Sequence, residues 1–224
     1  MKKRASIYGV LLAAGKGVRF GEAKQFVMIE GKPLIAYSLE VFSGAVDCLI
    51  VVTDKKHISM VEPYLSKNAY VVEGGESRGE SVLKALNFIK NKGANENDII
   101  VTHDAARPFV TKELIERSIV LAEEYGASSA GLKVTDTVVK VDYAFDVIES
   151  VDRSSIMTVQ TPQTVKFGII EKYCEGIEQF TDLCSLLISK GQTVKIFNGD
   201  SDNMKVTYPD DLKTVKRILE KIED

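Results

Sequence analysis

Cysteine is scarce in this 224-residue chain. Its three cysteines, Cys48, Cys174 and Cys184, follow no metal-binding or redox spacing. That pattern suits reduced thiols serving as small core residues, and with it a cytoplasmic location. Charge excess is missing as well. Counts of 29 basic and 32 acidic residues leave a formal net charge of −3, so the chain as a whole has no electrostatic pull toward nucleic acid or a membrane surface. No apolar run approaches a membrane span. The opening MKKRASIYGV lacks a long apolar core and a cleavage site, so it does not read as a signal peptide. Internal repeats, low-complexity segments and linkers are absent too. What remains is the composition of an ordinary globular protein, 45% hydrophobic and 27% charged. The length suits a single domain, residues 1–224, with a sizeable core.

The organising stretch is Ile7 to Gln25, IYGVLLAAGKGVRFGEAKQ. An apolar run reads as a buried strand. It breaks into Gly15, Gly17 and Gly21, interleaved with Lys16, Arg19 and Lys24. Such a turn presents bare backbone N–H groups at a strand's end, glycine lets a ligand come close, and the basic side chains favour an anion. The stretch reads as a phosphate cradle. It is not a Walker A loop, which needs G-x-x-x-x-G-K-[ST]. It is not a complete dinucleotide fingerprint either. Phe20 stands at the third glycine, and the second strand, CLIVVTD, ends at Asp54, too late for the ribose carboxylate.

Apolar runs and helical periodicities alternate along the chain. Strands are expected at Cys48 to Asp54, Ala69 to Gly75, Asp98 to Asp104 and Ser128 to Val134. Helices are expected from Pro33, with Leu34, Tyr37, Ser38 and Val41 on one face, after Asp54 to about Leu65, from the capping box at Ser77 to Glu80, and from Thr111 to Tyr125. This rhythm predicts an α/β fold, a doubly wound and mostly parallel Rossmann-like sheet with ligands at the strands' C-terminal ends. Residues 136–153 break the rhythm as a β-hairpin inserted before the sheet resumes, a protruding arm that needs a partner surface. Helices at Lys166 to Ile177 and Asp182 to Lys190, strands TVKIF and MKVTY, and a last helix from Pro209 follow. That helix is expected to turn Leu212, Val215, Ile218, Leu219 and Ile222 inward.

Chemistry gathers at the expected strand ends. GGESRGES, Gly74 to Ser81, is a second glycine-rich turn beside the first, with Arg78 near phosphate. THDAARPF places Asp104 at a strand tip, suited to an Mg2+ ligand facing a triphosphate. Arg107 can hold the turn or an anion. His103 points opposite to Asp104 by strand alternation and reads as structural, with metal ligand or base as the alternative. Arg153, Thr161 and Thr181 suit a small phosphorylated polyol, although caps or strand positions account for the threonines equally well. GDSDNMKVT brings Asp202 and Lys205, either to the site or as a surface pair.

In order, AAGKGVRFGEAKQF, GGESRGES, HDAARP, VDRSS…QTPQ, TD and DNMKVTYPDDL resemble the cytidylyltransferases of the isoprenoid pathway, over nearly the whole chain. The first segment is also similar to the wider signature of sugar nucleotidyltransferases, with Ala23 at a usual proline and a shorter span from Arg19 to Lys24. Other departures are Glu76 for an aspartate in the second loop and Leu183-Cys184 after TD. Ribitol-5-phosphate cytidylyltransferases share overlapping motifs. The resemblance implies that CTP and 2-C-methyl-D-erythritol 4-phosphate give 4-diphosphocytidyl-2-C-methyl-D-erythritol and pyrophosphate, with the ribitol reaction as the alternative. It implies that Ala13, Ala14, Gly15, Gly17, Gly75, Ser81 and Arg78 hold the nucleotide. Arg19, Lys24 and Lys205 would be the catalytic cations. Asp104, with Asp202, would take Mg2+ or another divalent cation. Arg153, Thr137, Thr161, Thr181 and Arg107 would grip the acceptor. The arm would join two subunits of a homodimer.

No base is needed for such a reaction, and no Ser-His-Asp triad is present. A phosphate monoester is largely dianionic near neutral pH, and the obstacle is bringing two anions together. Two other classes stay open: a nucleotide-dependent oxidoreductase, and a binding protein that has lost catalysis.

Overall fold

The structure is a computed structural model that describes residues 4–223. Strand β1 (Ile7–Leu12) runs into the first glycine loop, and a two-residue ribbon follows, β2 (Met28–Ile29) with β3 (Lys32–Pro33). Then come α1 (Leu34–Ser43), β4 (Cys48–Thr53), the short α2 (Ile58–Val61) and β5 (Ala69–Glu73). The expected single helix up to Leu65 is instead three short turns, with Pro63 heading the last of them. A proline nitrogen has no hydrogen to continue a helical ladder. Helix α1 buries Leu34, Ile35, Ala36, Ser38, Leu39 and Phe42, so its inward face is wider than expected and leaves Tyr37 and Val41 only partly covered.

Helix α3 (Arg78–Asn91) starts at the expected cap, with the Ser77 hydroxyl accepting from the Glu80 N–H at 3.1 Å. The box closes one residue early. Glu80 accepts from the Glu76 N–H at 2.6 Å. Strand β6 (Ile99–Asp104), α4 (Lys112–Tyr125) and β7 (Ala127–Lys133) follow the predicted rhythm, and Gly126 ends α4 at φ 91°. The arm pairs β8 (Val138–Val141) with β9 (Val147–Val151) as a separate antiparallel ribbon.

The main departure is β10 (Met157–Lys166), a ten-residue strand. It inserts between β6 and β7 and is antiparallel to both. Afterwards come α5 (Phe167–Tyr173), α6 (Leu183–Ser189), β11 (Lys195–Asn198) and α7 (Asp211–Glu223). MKVTY forms no strand, and Ile222 faces outward.

The seven strands lie in the order β11-β7-β10-β6-β1-β4-β5, mostly parallel. Residues alternate between two cores. Leu11, Val51 and Val101 pack on one face with α1 and α4 residues such as Phe42 and Ile115. Val10, Ile50 and Ile100 pack on the other with Val82, Ile89 and Leu186. The chain proceeds from β1 outward to β4 and β5, then returns to β6 on β1's other side. Leu12 and Asp104 are therefore neighbours at the switch point, where open α/β sheets bind ligands. Helix α7 closes a third cluster over Ile29, Phe109 and Val206. Among the described residues, no helix is long and apolar enough to cross a membrane.

Candidate active site

A cleft of about 360 Å³ opens at this switch point. The first glycine loop forms one wall. The Phe20 and Gly21 N–H groups close a turn onto the Gly17 carbonyl at 2.8 and 2.9 Å. Gly17 has φ +64°, and a Cβ there would fall on the Glu22 carbonyl, so no other residue fits this turn without displacing it. Ala14, Gly15, Gly17, Arg19 and Lys24 all line the cleft. Gln25, only 3% exposed, donates to the Ala13 carbonyl at 2.6 Å and the Gly15 carbonyl at 3.0 Å. It ties the end of the loop to its beginning and so sets where Lys24 stands. The sequence pattern of cations and glycines does not mark it.

The second glycine turn forms the facing wall with Gly75, Arg78 and Ser81. The Ser81 hydroxyl accepts from the Gly75 N–H at 3.1 Å, shaping that turn. Lys16 and Glu76 meet at 2.7 Å across the mouth, joining the two loops.

Asp104 and Lys205 form the floor. The Asp104 carboxylate accepts from Arg78 at 3.1 Å and from Lys205 at 2.6 Å. Burial by itself raises a carboxyl pKa; here Arg78, Lys205 and Arg107 outweigh it and hold Asp104 well below the usual carboxylate range. Lys24 is pushed down from its ordinary value by burial, then by the like charges of Lys205 and Arg19. Three cations from opposite ends of the chain thus converge. The cleft holds Lys16, Arg19, Lys24, Arg78 and Lys205 against only Glu76 and Asp104, on a chain whose net charge is negative.

A family model, 2-C-methyl-D-erythritol 4-phosphate cytidylyltransferase, matches residues 7–221. The chain belongs to this family. A protein of that name from Thermosipho africanus is 36% identical over 218 residues, covering 92% of this chain and 95% of its own. One from Clostridium novyi is 34% identical, covering 96% of each. The fold matches a crystal structure titled 4-diphosphocytidyl-2C-methyl-D-erythritol synthase from Anaerococcus prevotii, with a TM-score of 0.83, 24% identity and 96% of each chain covered.

Several residues expected at the site of a cytidylyltransferase are not among those lining this cleft. Ala13 is buried and contributes its carbonyl to Gln25 rather than a surface to the cleft. Asp202 is outside the cleft lining, where its carboxylate accepts from Lys221 at 3.1 Å. The chain bends at residues 201–203, and the surface pair of Asp202 with Lys205 does not form: Lys205 meets Asp104 and Asp202 meets Lys221. Arg107 holds its turn, donating to the Asn203 carbonyl at 2.8 Å. Thr161 is buried, with its hydroxyl bonded to His103 and the Asp104 N–H. Thr181 is exposed and donates to Asp182 at 3.2 Å, outside the cleft lining. Thr137 and Arg153 are exposed at the base of the arm, where Arg153 donates to the Thr135 carbonyl. His103 has the expected structural place, completely buried, and burial pushes its pKa down to about 4.

Proposed function

We infer that this cleft joins CTP to 2-C-methyl-D-erythritol 4-phosphate and releases pyrophosphate. Family membership supports the reaction. The single observation in the structure that carries it is the convergence of Arg19, Lys24 and Lys205 beside Asp104 at the sheet's switch point.

The glycine turns receive the nucleotide, with backbone N–H groups toward phosphate. Holding three cations together costs free energy until an anion arrives, and the triphosphate relieves that repulsion. An acceptor phosphate oxygen attacks the α-phosphorus, forming one P–O bond as the bond to pyrophosphate breaks. Lys24, Lys205 and Arg19 stabilise the charge that builds in that in-line transition state. No side chain has to remove a proton, because the attacking phosphate is already ionised.

Among the described residues, no three His, Cys, Asp or Glu side chains gather as a metal cage. Asp104 is a lone carboxylate whose two oxygens accept one bond each, leaving lone pairs free. That donor set fits Mg2+ arriving with the triphosphate, which takes one or two carboxylates plus phosphate oxygens and keeps several waters. The ion's contribution is to offset charge on the triphosphate and on departing pyrophosphate.

Residues 1–224 act as one nucleotidyltransferase domain, and residues 136–153 act as its arm. Tyr143 and Phe145 are 106% and 83% exposed there, with Val147 and Ile148 beside them. Apolar side chains standing out on a two-stranded ribbon support a homodimer. In it Thr137 and Arg153 serve the partner's acceptor site. A cytoplasmic location accords with the free cysteines.

The test is pyrophosphate release from CTP with a panel of polyol phosphates. 2-C-methyl-D-erythritol 4-phosphate supports turnover, and ribitol 5-phosphate and ATP do not. Equal turnover with ATP removes the pyrimidine assignment, and equal turnover with ribitol 5-phosphate removes the acceptor.

A further inference from the structure

Beneath the cleft floor lie buried polar side chains that none of these steps uses. His103 and Asn203 are completely buried and Thr161 is 4% exposed. They come from β6, from β10 and from the loop before α7. Thr161 Oγ1 lies 2.9 Å from His103 Nδ1, and the Asp104 N–H donates to the same oxygen at 3.2 Å. The other ring nitrogen, His103 Nε2, lies 2.9 Å from the Arg107 carbonyl oxygen. Asn203 Nδ2 donates to the Thr161 carbonyl at 2.8 Å, while the Asn203 carbonyl accepts from Arg107 at 2.8 Å.

Arg107 Nε and Asn203 Oδ1 are buried without a partner, but counting hydrogens orients the bonds around the His103 ring and the Thr161 hydroxyl. A carbonyl oxygen only accepts, so His103 Nε2 carries a hydrogen. If Nδ1 carried one too, Thr161 Oγ1 would accept from both His103 and Asp104, and its own hydrogen would be left without either partner in a buried space. Leaving a buried donor unmatched is costly. Nδ1 is therefore bare, the Thr161 hydroxyl donates to it, and the Asp104 N–H donates to Thr161. The one hydroxyl hydrogen of Thr161 is committed inside the protein and is withheld from any substrate oxygen.

We propose that His103, Thr161 and Asn203 are positioning residues that hold the Asp104–Lys205 pair at the cleft, with His103 fixed as the Nε2–H tautomer. The consequence for rate rests on the cytidylyltransferase reading; the geometry does not. The bracket acts at two points. Through Thr161 it fixes the backbone of Asp104. Through Asn203 it fixes the turn that presents Lys205, whose Nζ is 2.6 Å from Asp104. Small displacements of charged groups from their productive positions weaken transition-state stabilisation steeply.

Thr161→Val removes both hydroxyl bonds with little change of shape, and Thr161→Ser keeps both. In the full-length protein, Thr161→Val lowers kcat by about 10–100-fold, the range for outer groups that orient a site. The KM for the acceptor stays within about twofold, and Thr161→Ser restores kcat to within about threefold. A raised acceptor KM with unchanged kcat would put Thr161 on the substrate and overturn the proposal. Nitrogen-15 NMR of the wild-type histidines reads the tautomer without turnover or substitution. A protonated Nε2 beside a bare Nδ1 supports the bracket, whereas an Nδ1–H tautomer or a doubly protonated ring at neutral pH overturns it. If the wild-type protein releases no pyrophosphate with any acceptor, the cytidylyltransferase reading fails, and the NMR result still decides the bracket.

Discussion

The cleft and the arm are finished to different degrees. In the cleft, Asp104 already meets Arg78 and Lys205, Lys16 meets Glu76, and Gln25 holds two loop carbonyls. Polar groups can be satisfied pairwise within one chain, so the site is arranged before a ligand arrives. On the arm, β8 and β9 bond to each other and leave Tyr143 and Phe145 standing in the open. A two-stranded ribbon cannot bury its own apolar side chains. Changes in the cleft should therefore alter rate or stability, and changes on the arm should alter assembly while leaving the fold intact.

The largest expected effect breaks the cleft. Lys24→Ala and Lys205→Ala should each lower kcat about 10²–10³-fold, or roughly 3–4 kcal/mol of barrier, with a smaller change in KM for CTP. Circular dichroism checks folding. A Lys205→Ala enzyme within about threefold of the wild-type kcat would remove Lys205 from the site.

Acid reaches the cleft from below. The His103 pKa falls from 6.5 to about 4 in the folded chain, so the unfolded chain binds more protons between those values. Stability is full above pH 6.5 and is lost as pH falls toward 4, by roughly 3 kcal/mol in all. His57 is also pushed down, chiefly by burial, and adds in the same direction. Urea unfolding between pH 6.5 and 4.5 measures the slope above the carboxylate range. His103→Gln should flatten it.

The arm should respond in the opposite currency. Tyr143→Ser or Phe145→Ser should each weaken dimerisation by about 2 kcal/mol, as truncating an interface anchor does. The thermal midpoint extrapolated to low protein concentration should not move. Sedimentation over a dilution series reads both variants, and deleting residues 139–148 should give monomers without activity. A wild-type monomer at micromolar concentration would count against the comparison.

Gly17→Ala sharpens it at the smallest scale. Positive φ costs an L-residue about 1–2 kcal/mol, and here the new methyl also meets the Glu22 carbonyl. Stability should drop by more than that, because the Glu22 carbonyl has to move as well, and the KM for CTP should rise, because the strain sits in the cradle itself. Steady-state kinetics and a thermal melt read the two effects.

The parallel part of the sheet was legible because β1, β4 and β6 are apolar runs covered on both faces. Strand β10 was not, because most of the residues it buries are polar. Gln160, Thr161, Gln163 and Thr164 are all buried, satisfied by bonds such as Thr164 to Ser118 at 2.7 Å and the Leu183 N–H to Gln163 at 3.0 Å. Hydropathy patterns cannot mark a strand of that kind. Both glycine turns, Asp104 and the cations were readable as strand-end chemistry. The surface pair of Asp202 with Lys205 was misread, because closeness in sequence says nothing about which way a turn faces; Asp202 meets Lys221 and Lys205 meets Asp104. Gln25, beside Lys24, carries neither charge nor glycine to mark it, and its two carbonyl partners exist only once the loop is folded.

The place of β10 also orders the birth of the molecule. Its sheet neighbours, β6 and β7, are both synthesised before it, and it slides between them from later in the chain. Until residue 166 has emerged, a nascent chain carries two open strand edges where the middle of its sheet belongs, and open edges invite pairing with other chains. A fragment stopping before β10 should aggregate rather than wait. One ending between β11 and residue 205 should close its sheet yet lack Lys205, so the site is completed only after the sheet.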